Sequence, residues 1–199
     1  MTAKILEPLS DVQALIRMAA FRLLLARSRP ASVRALAAAT GIARDKLTTH
    51  LKELDSAGRI RRDESGRVVG SAGLSVTKDR HEIELDGRRF WTWCAYDILG
   101  IFGALKASGR ALTRSPDGRT LEIRFELGRP VDSDAVLFLP DVELMSSCEN
   151  VYAEWCPNSN VFSDAEHATE WADARGMQGG IMSLADASSL GAIGWADVV

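Results

Sequence analysis

Residues 81–105 read HEIELDGRRFWTWCAYDILGIFGAL, and the way they divide into elements sets the fold. Ile83 and Leu85 alternate with Glu82 and Glu84, the period of a half-buried strand over His81–Leu85. Asp86-Gly87 is a hairpin turn signal. Arg88–Trp93 either continues as the second strand or begins a helix. From Cys94 onward the composition is helical, through Ala95, Leu99, Phe102, Ala104 and Leu105. Gly100 and Gly103 weaken that reading, since each costs roughly 1 kcal/mol in a helix interior. A hairpin feeding straight into an apolar helix predicts an α+β fold.

The same stretch carries chemistry. In a helix, Cys94 and Asp97 lie on one face, one turn apart, within reach of a single bound atom. Near the helix start the macrodipole favours a Cys94 thiolate, a soft ligand and a nucleophile. Among Trp and Phe rings the Asp97 carboxyl should hold its proton to higher pH, because burial disfavours the charged form, and a nearby thiolate acts the same way. The pair therefore reads as a soft-metal ligand beside a proton donor. The plainer alternative is a core Cys and a solvated Asp.

Upstream, Val12–Ala26 is apolar at helical spacing, with Leu15, Ala19 and Leu23 on one stripe, Asp11 as N-cap and Pro30 as terminator. Ser32 precedes a second helix, Val33–Ala39, closed by Thr40-Gly41. A third runs over Ala43–Ala57, with Leu47, Leu51 and Leu54 inward and Gly58 as its stop. Strands Arg59–Arg62 and Arg67–Gly70 flank the turn Asp63-Glu64-Ser65-Gly66. Three helices and a hairpin make a winged helix-turn-helix pattern, best seen in SVRALAAATGIARDKLTTHLKELDSAGRIRR, residues 32–62. A DNA-reading version would present Arg44, Lys46, Thr48 and Thr49 to the major groove and Arg61, Arg62 and Arg67 to phosphates. The other reading is a module that packs against the second half of the chain. Charge is divided accordingly. Residues 1–70 hold 13 Lys and Arg against 7 Asp and Glu, and residues 71–199 hold 11 against 20, giving +6 and −9 within a net charge of −3. We divide the chain at this shift, into a winged-helix-like module 1–75 and a second domain 76–199.

Downstream, Leu74–Thr77 alternates. Ser108-Gly109 closes the Cys94 helix. Arg110–Arg114, Thr120–Glu126 and Ala135–Leu139 read as strands, with turns at Pro116-Asp117-Gly118 and Gly128-Arg129-Pro130. The alternation of Leu121, Ile123 and Phe125 with charged neighbours implies an antiparallel sheet with one wet face. Ser163 is read as the N-cap of a helix over Asp164–Ala174 with Trp171 inward. Ile181–Leu184 is a short strand, and Asp186–Gly191 a terminal turn or helix start.

No run is long and apolar enough for a membrane span, and residues 1–30 lack a signal-peptide pattern, so the expected location is cytoplasmic. Three cysteines, Cys94, Cys148 and Cys156, cannot all pair, and in a reducing compartment they are expected as thiols. The spacing does not suit a zinc ribbon, since there is no C-x-x-C pair and neither His81 nor His167 is at ligand spacing. A Cys–His nucleophile using His167 and a redox pair of Cys94 with Cys156 are weaker readings than a two-thiolate site for a soft metal. Trp91, Trp93, Trp155 and Trp171 are expected in the core, and His50 at the surface of the third helix.

HEIELDGRRFWTWCAYDILGIFGAL resembles the signature segment of the organomercurial lyases, the MerB family of alkylmercury lyases. There a Trp-Cys-Ala-x-Asp run follows a strand hairpin and precedes a Phe-rich helix. WCPNSNVF (residues 155–162) resembles the family's second-cysteine loop. EHATEWADARGMQGGIMSLADASSLG (residues 166–191) resembles the helix and strand that come after that loop. The family also carries a degenerate winged-helix module, which accounts for residues 1–75 without DNA. Position by position, Cys94 matches the first thiol, Asp97 the carboxyl and Cys156 the second thiol. This chain departs from the pattern in Phe102-Gly103 where Phe-Pro is common, in Pro157 where a further Cys sometimes stands, and in lacking a cysteine near Ser115.

The resemblance implies carbon–mercury cleavage by protonolysis at Cys94, Asp97 and Cys156. The organic group would lie against Trp93 and Phe102. No organic cofactor is implied; Hg²⁺ is the bound product, held by Cys94, Cys156 and Asp97 until exogenous thiols or a mercuric reductase take it. Cys148 is read as a packed residue, or else as an auxiliary ligand for mercury exit. The competing class is a winged-helix regulator that senses a soft metal, or a diverged relative with another substrate.

Overall fold

The computed structural model describes residues 10–131 and 133–199. Three helices come first: α1 (Asp11–Arg27), α2 (Val33–Thr40) and α3 (Arg44–Ser56). The hairpin β1 (Ile60–Arg62) and β2 (Val68–Ser71) follows, giving the winged-helix-like order. The N-cap of α1 is Ser10 rather than Asp11, in a capping box in which Ser10 Oγ accepts from the Gln13 amide at 3.3 Å. The buried face of α1 is Ile16, Ala19, Ala20, Phe21 and Leu24, while Leu15 is exposed and Leu23 half-buried. Apolar residues run almost all round this helix, so spacing alone does not select the face. Leu47, Leu51 and Leu54 of α3 are fully buried as expected, and Gly58 takes a left-handed φ of +64° just beyond it.

The wing does not stand apart. β2 pairs with β3 (Leu74–Ser75), and β3 pairs with β5 (Arg88–Thr92). An eight-stranded sheet results, in the order β1-β2-β3-β5-β4-β6-β7-β8, with β4 (His81–Leu85), β6 (Gly109–Arg114), β7 (Thr120–Glu126) and β8 (Arg129–Val131). Its neighbours are antiparallel throughout. The 81–92 segment is a strand hairpin, which resolves the choice left open for Arg88–Trp93. Residues 128–130 are not the turn: the chain reverses at Leu127-Gly128, both at positive φ, and Arg129–Val131 forms the edge strand. Pro130 fits an edge because it has no amide to donate to a further neighbour.

A smaller sheet, β10-β9-β11, is built from β9 (Val136–Pro140), β10 (Asn160–Phe162) and β11 (Gly179–Ser183). Between β9 and β10 the chain makes a long excursion containing α5 (Val142–Ser147) and a π-helical turn, Val151–Trp155. α6 (Ala165–Asp173) is capped by Asp164, not Ser163: its Oδ1 accepts from the His167 amide at 3.0 Å. α7 (Leu184–Trp195) ends the fold.

α4 (Ala95–Leu105) lies at the centre. The two glycines that weaken it on propensity serve its packing. A Cβ at Gly103 would lie 2.7 Å from the Ser188 carbonyl oxygen, and one at Gly191 would lie 2.6 Å from the Gly100 Cα. Small residues therefore let α7 approach the α4 backbone, and burial outweighs the propensity cost. Phe102 faces the main core, stacked on Phe125 at 3.9 Å between ring centroids. No helix among the described residues is long and apolar enough to cross a membrane.

Candidate active site

Cys94 is the N-cap of α4, in extended conformation at the point where β5 ends. Asp97, at the third helical position, accepts the Cys94 amide through Oδ2 at 2.8 Å. The capping box thus fixes thiol and carboxyl on one side of the helix start. Both are buried, Cys94 at 0 % and Asp97 at 6 % exposure.

Cys156 arrives from the β9–β10 excursion, at the junction of the π-helical turn with a single 3₁₀ turn. Ser159 pins that junction onto α4. Its carbonyl accepts the Ala95 amide at 3.2 Å and its Oγ accepts the Tyr96 amide at 3.2 Å. Two of the helix's orphan N-terminal amides are thereby satisfied by the segment that delivers the second thiol. The Cys94 and Cys156 sulfurs and an Asp97 carboxylate oxygen lie within 4.8 Å of one another. Two residues of one helix start and a third from a distant segment thus form one buried set able to hold a metal ion.

Charge is costly here, and the titration behaviour reflects it. Burial pushes Asp97 up to about 6, against the opposing pull of its hydrogen bonds with Cys94. Burial likewise raises the Cys94 thiol well above its ordinary value, and the adjacent Cys156 thiol and Asp97 carboxyl reinforce it. The Asp97 amide at the helix start pulls the other way and is outweighed. The expectation of a thiolate favoured by the helix dipole therefore fails: desolvation dominates a partial charge. Near neutral pH Cys94 rests as a thiol, and Asp97 titrates close enough to neutrality to take a proton and give one back.

All three cysteines are free thiols, and Cys148 joins the other two in one buried cluster with Trp93 and Trp155. Tyr96, Met145 and Tyr152 pack against it. Phe102 belongs to the main core instead, so the aromatic wall is Trp93, Tyr96, Tyr152 and Trp155. Trp91 and Trp171 are half-buried elsewhere. His81 is buried against Thr113 at 2.6 Å, and His167 is bound to Asp164 near the surface; neither joins the thiols.

Several contributors gave no local signal. Gly73, at φ +85° in the β2–β3 turn, lies so close to Asp97 that a Cβ there would overlap the carboxyl. Arg80 donates to the Trp93 carbonyl at 2.7 Å and to the Tyr152 carbonyl at 3.1 Å, joining the two cysteine-bearing segments. Arg61 and Arg80 stack on the Tyr152 ring, at 4.4 and 4.5 Å from its centre. Arg61 also pairs with buried Asp79. Arg62 pairs with Asp55 and Arg67 with Asp63, so all three wing arginines are engaged with carboxylates of this chain. Asn150 ties the excursion to the end of α3, donating to the Ser56 carbonyl at 3.0 Å.

Comparison with known proteins shows what the chain resembles. The family model described as alkylmercury lyase matches residues 74–194. The alkylmercury lyase of Staphylococcus epidermidis is 30% identical over 172 residues, covering 84% of this chain and 76% of that protein. The one from Pseudomonas putida is 29% identical over 155 residues, covering 74% and 68%. The crystal structure of the mercury-bound form of MerB2 shares the fold, with TM-score 0.84 at 24% identity over 97% of this chain and 94% of that one. By the span of the family match and the identity to its members, the chain belongs to the alkylmercury lyase family.

Proposed function

We propose that this protein is an organomercurial lyase that cleaves carbon–mercury bonds by protonolysis at Cys94, Asp97 and Cys156. The observation that carries the reading is the convergence of two thiols and one carboxyl in a single buried set. Soft sulfur selects a soft ion. An R–Hg⁺ species reaches Cys94, whose proton moves to the Asp97 carboxylate as the first sulfur–mercury bond forms. Cys156 adds as a second donor, and its proton leaves to solvent with the displaced counterion. Electron density from two sulfurs makes the carbon more carbanion-like. Asp97, now protonated, gives its proton to that carbon, and R–H departs while Hg²⁺ stays between the sulfurs. Asp97 thus acts first as base and then as acid, a role served by a pKa near the working pH.

Onward transfer of Hg²⁺ goes to exogenous thiols or a mercuric reductase, and the setting is the cytoplasm. Residues 1–75 serve as a winged-helix-like brace on domain 76–199 rather than as a DNA reader. Engagement of the wing arginines within the chain and the grip of α3 on Asn150 support that role. The test is release of benzene from phenylmercury in D₂O. The expected product is one singly deuterated benzene per chain; unlabelled benzene, or none, would refute protonolysis.

Gly73→Ala should impair this reaction with the thiols untouched. The new methyl must displace the Asp97 carboxyl, and misplacing a reacting group by about 1 Å costs about 10²-fold in rate. Single-turnover benzene release measures it, with mercury stoichiometry as the control.

The raised Asp97 pKa also predicts how stability varies with pH. Between the ordinary carboxyl value of 3.8 and about 6 the folded protein binds more protons than the unfolded chain. Stability from this group is therefore full below pH 3.8 and is lost as pH rises through 6. The loss is on the order of 3 kcal/mol. Thermal unfolding of wild type and Asp97→Asn should show a difference in Tm that grows in favour of the variant as pH rises from the ordinary carboxyl range to neutrality. A constant difference would place the carboxyl's titration elsewhere.

A further inference from the structure

We propose that Cys148 is the departure ligand for mercury: a third thiol that takes Hg²⁺ over from the Cys94–Cys156 pair on its way out. The inference rests on the lyase reading for its cargo, and on separate observations for its geometry. Cys148 is 1 % exposed and shares its apolar cluster with Cys94 and Cys156. It stands outside the tight ligand set, yet packs in the same cluster as Cys94 and Cys156. Its neighbours Ser147 and Glu149 are exposed, as is Val142 at the start of α5, whereas Cys94 and the residue after it are fully buried. The half-buried thioether of Met145 adds a further soft atom on the same side. Pro157 gives the chain no thiol directly after Cys156, so Cys148 is the remaining sulfhydryl in the cluster.

Ligand exchange at mercury needs no redox partner. A bond forms from Cys148 Sγ to Hg²⁺ as the bond from Cys94 Sγ breaks. Cys148 loses one proton, Cys94 regains one, and the total charge is unchanged. Asp97, a carboxylate after protonating carbon, stands beside Cys94 to relay that proton. Hg²⁺ then lies between Cys148 and Cys156, on the β9–β10 excursion and off α4, beside the exposed residues Ser147 and Glu149.

The competing role is structural, because Cys148 Sγ donates to the Leu144 carbonyl at 3.0 Å at the end of α5. Cys148→Ser separates the two: a hydroxyl keeps the hydrogen bond and is too hard a donor for mercury. Wild type, Cys148→Ser and Cys148→Ala are each loaded with one equivalent of HgCl₂, and transfer to glutathione, at about a tenth of the mM effective concentration of an internal thiol, is timed. Both variants should transfer at least about tenfold more slowly, the ratio of those two concentrations. Benzene release from phenylmercury in a single turnover should match wild type. Transfer at the wild-type rate in both variants would overturn the proposal, and so would a defect in Cys148→Ala that Cys148→Ser repairs. Failure of wild type to release benzene would instead strike the lyase reading, since the transfer assay starts from inorganic mercury.

Discussion

Asp97→Asn is expected to slow hydrocarbon release by about 10²–10⁴-fold, the usual contribution of a positioned general acid. The substitution changes little else. An amide has the shape of the carboxyl, and its oxygen can still accept the Cys94 amide that Asp97 accepts at 2.8 Å. The two sulfurs remain, so the variant should bind the organomercurial and hold it uncleaved. What it lacks is a group that can take the proton from Cys94 and give it to carbon. Cys94 itself cannot supply that proton, because it is spent in forming the sulfur–mercury bond. Single-turnover benzene release with mercury content measured on the same sample reads both halves of the expectation. Release within a few-fold of wild type would remove Asp97 from the chemistry.

The second large effect is expected at Cys156. Cys156→Ser leaves Cys94 in its capping position and removes the other soft donor. One sulfur binds mercury without the chelate effect, and linking two donors commonly strengthens retention by about 10²–10⁴-fold. The variant should therefore lose Hg²⁺ to competing glutathione at concentrations that leave wild type loaded. Cleavage should fall too, since a single sulfur pushes less electron density onto mercury. Retention after gel filtration in glutathione measures the first effect and benzene release the second. A Cys156→Ser protein that keeps its mercury would mean that Cys148 or another donor takes the place assigned to Cys156.

The parts of this structure legible in the sequence are those fixed by neighbours in the chain. The 81–85 strand, the Asp86-Gly87 turn and α4 follow from alternation, turn chemistry and composition. The Cys94–Asp97 pairing follows from helical spacing. Cys156 has no local mark: its place in the site depends on Ser159 meeting the first turn of α4, a contact 63 residues away in sequence. The family resemblance, not spacing, points to it. Gly73 and Arg80 are silent for the same reason, since a hairpin glycine and an exposed arginine look ordinary until Asp97 and Tyr152 are set beside them. The 142–155 excursion escapes a periodicity reading because its helix is six residues long and its π-helical turn has no period that a 3.6-residue template detects. Phe102 does not line the site expected of it. It points to Phe125, about two turns beyond the thiol.

The winged-helix pattern is legible as a fold, and its use is not. Basic residues at Arg61, Arg62 and Arg67 look the same in sequence whether they meet phosphates or carboxylates. In the folded chain Arg61 joins Asp79 and Tyr152, beside the loop that carries the second thiol. The charge asymmetry between the two halves is thus partly consumed internally.

Cys94 and Cys156 holding one mercury while Asp97 protonates the carbon leaving it is the claim on which the rest depends. The most direct measurement adds one equivalent of phenylmercury to the protein in thiol-free buffer, then records headspace benzene and the sulfur coordination of the retained metal by X-ray absorption. One benzene per chain is expected, with a two-sulfur mercury site; Cys94→Ser should release no benzene, and Cys156→Ser should lose the two-sulfur site. Intact phenylmercury on the wild-type protein, benzene release by Cys94→Ser, or a two-sulfur site that survives Cys156→Ser would contradict it.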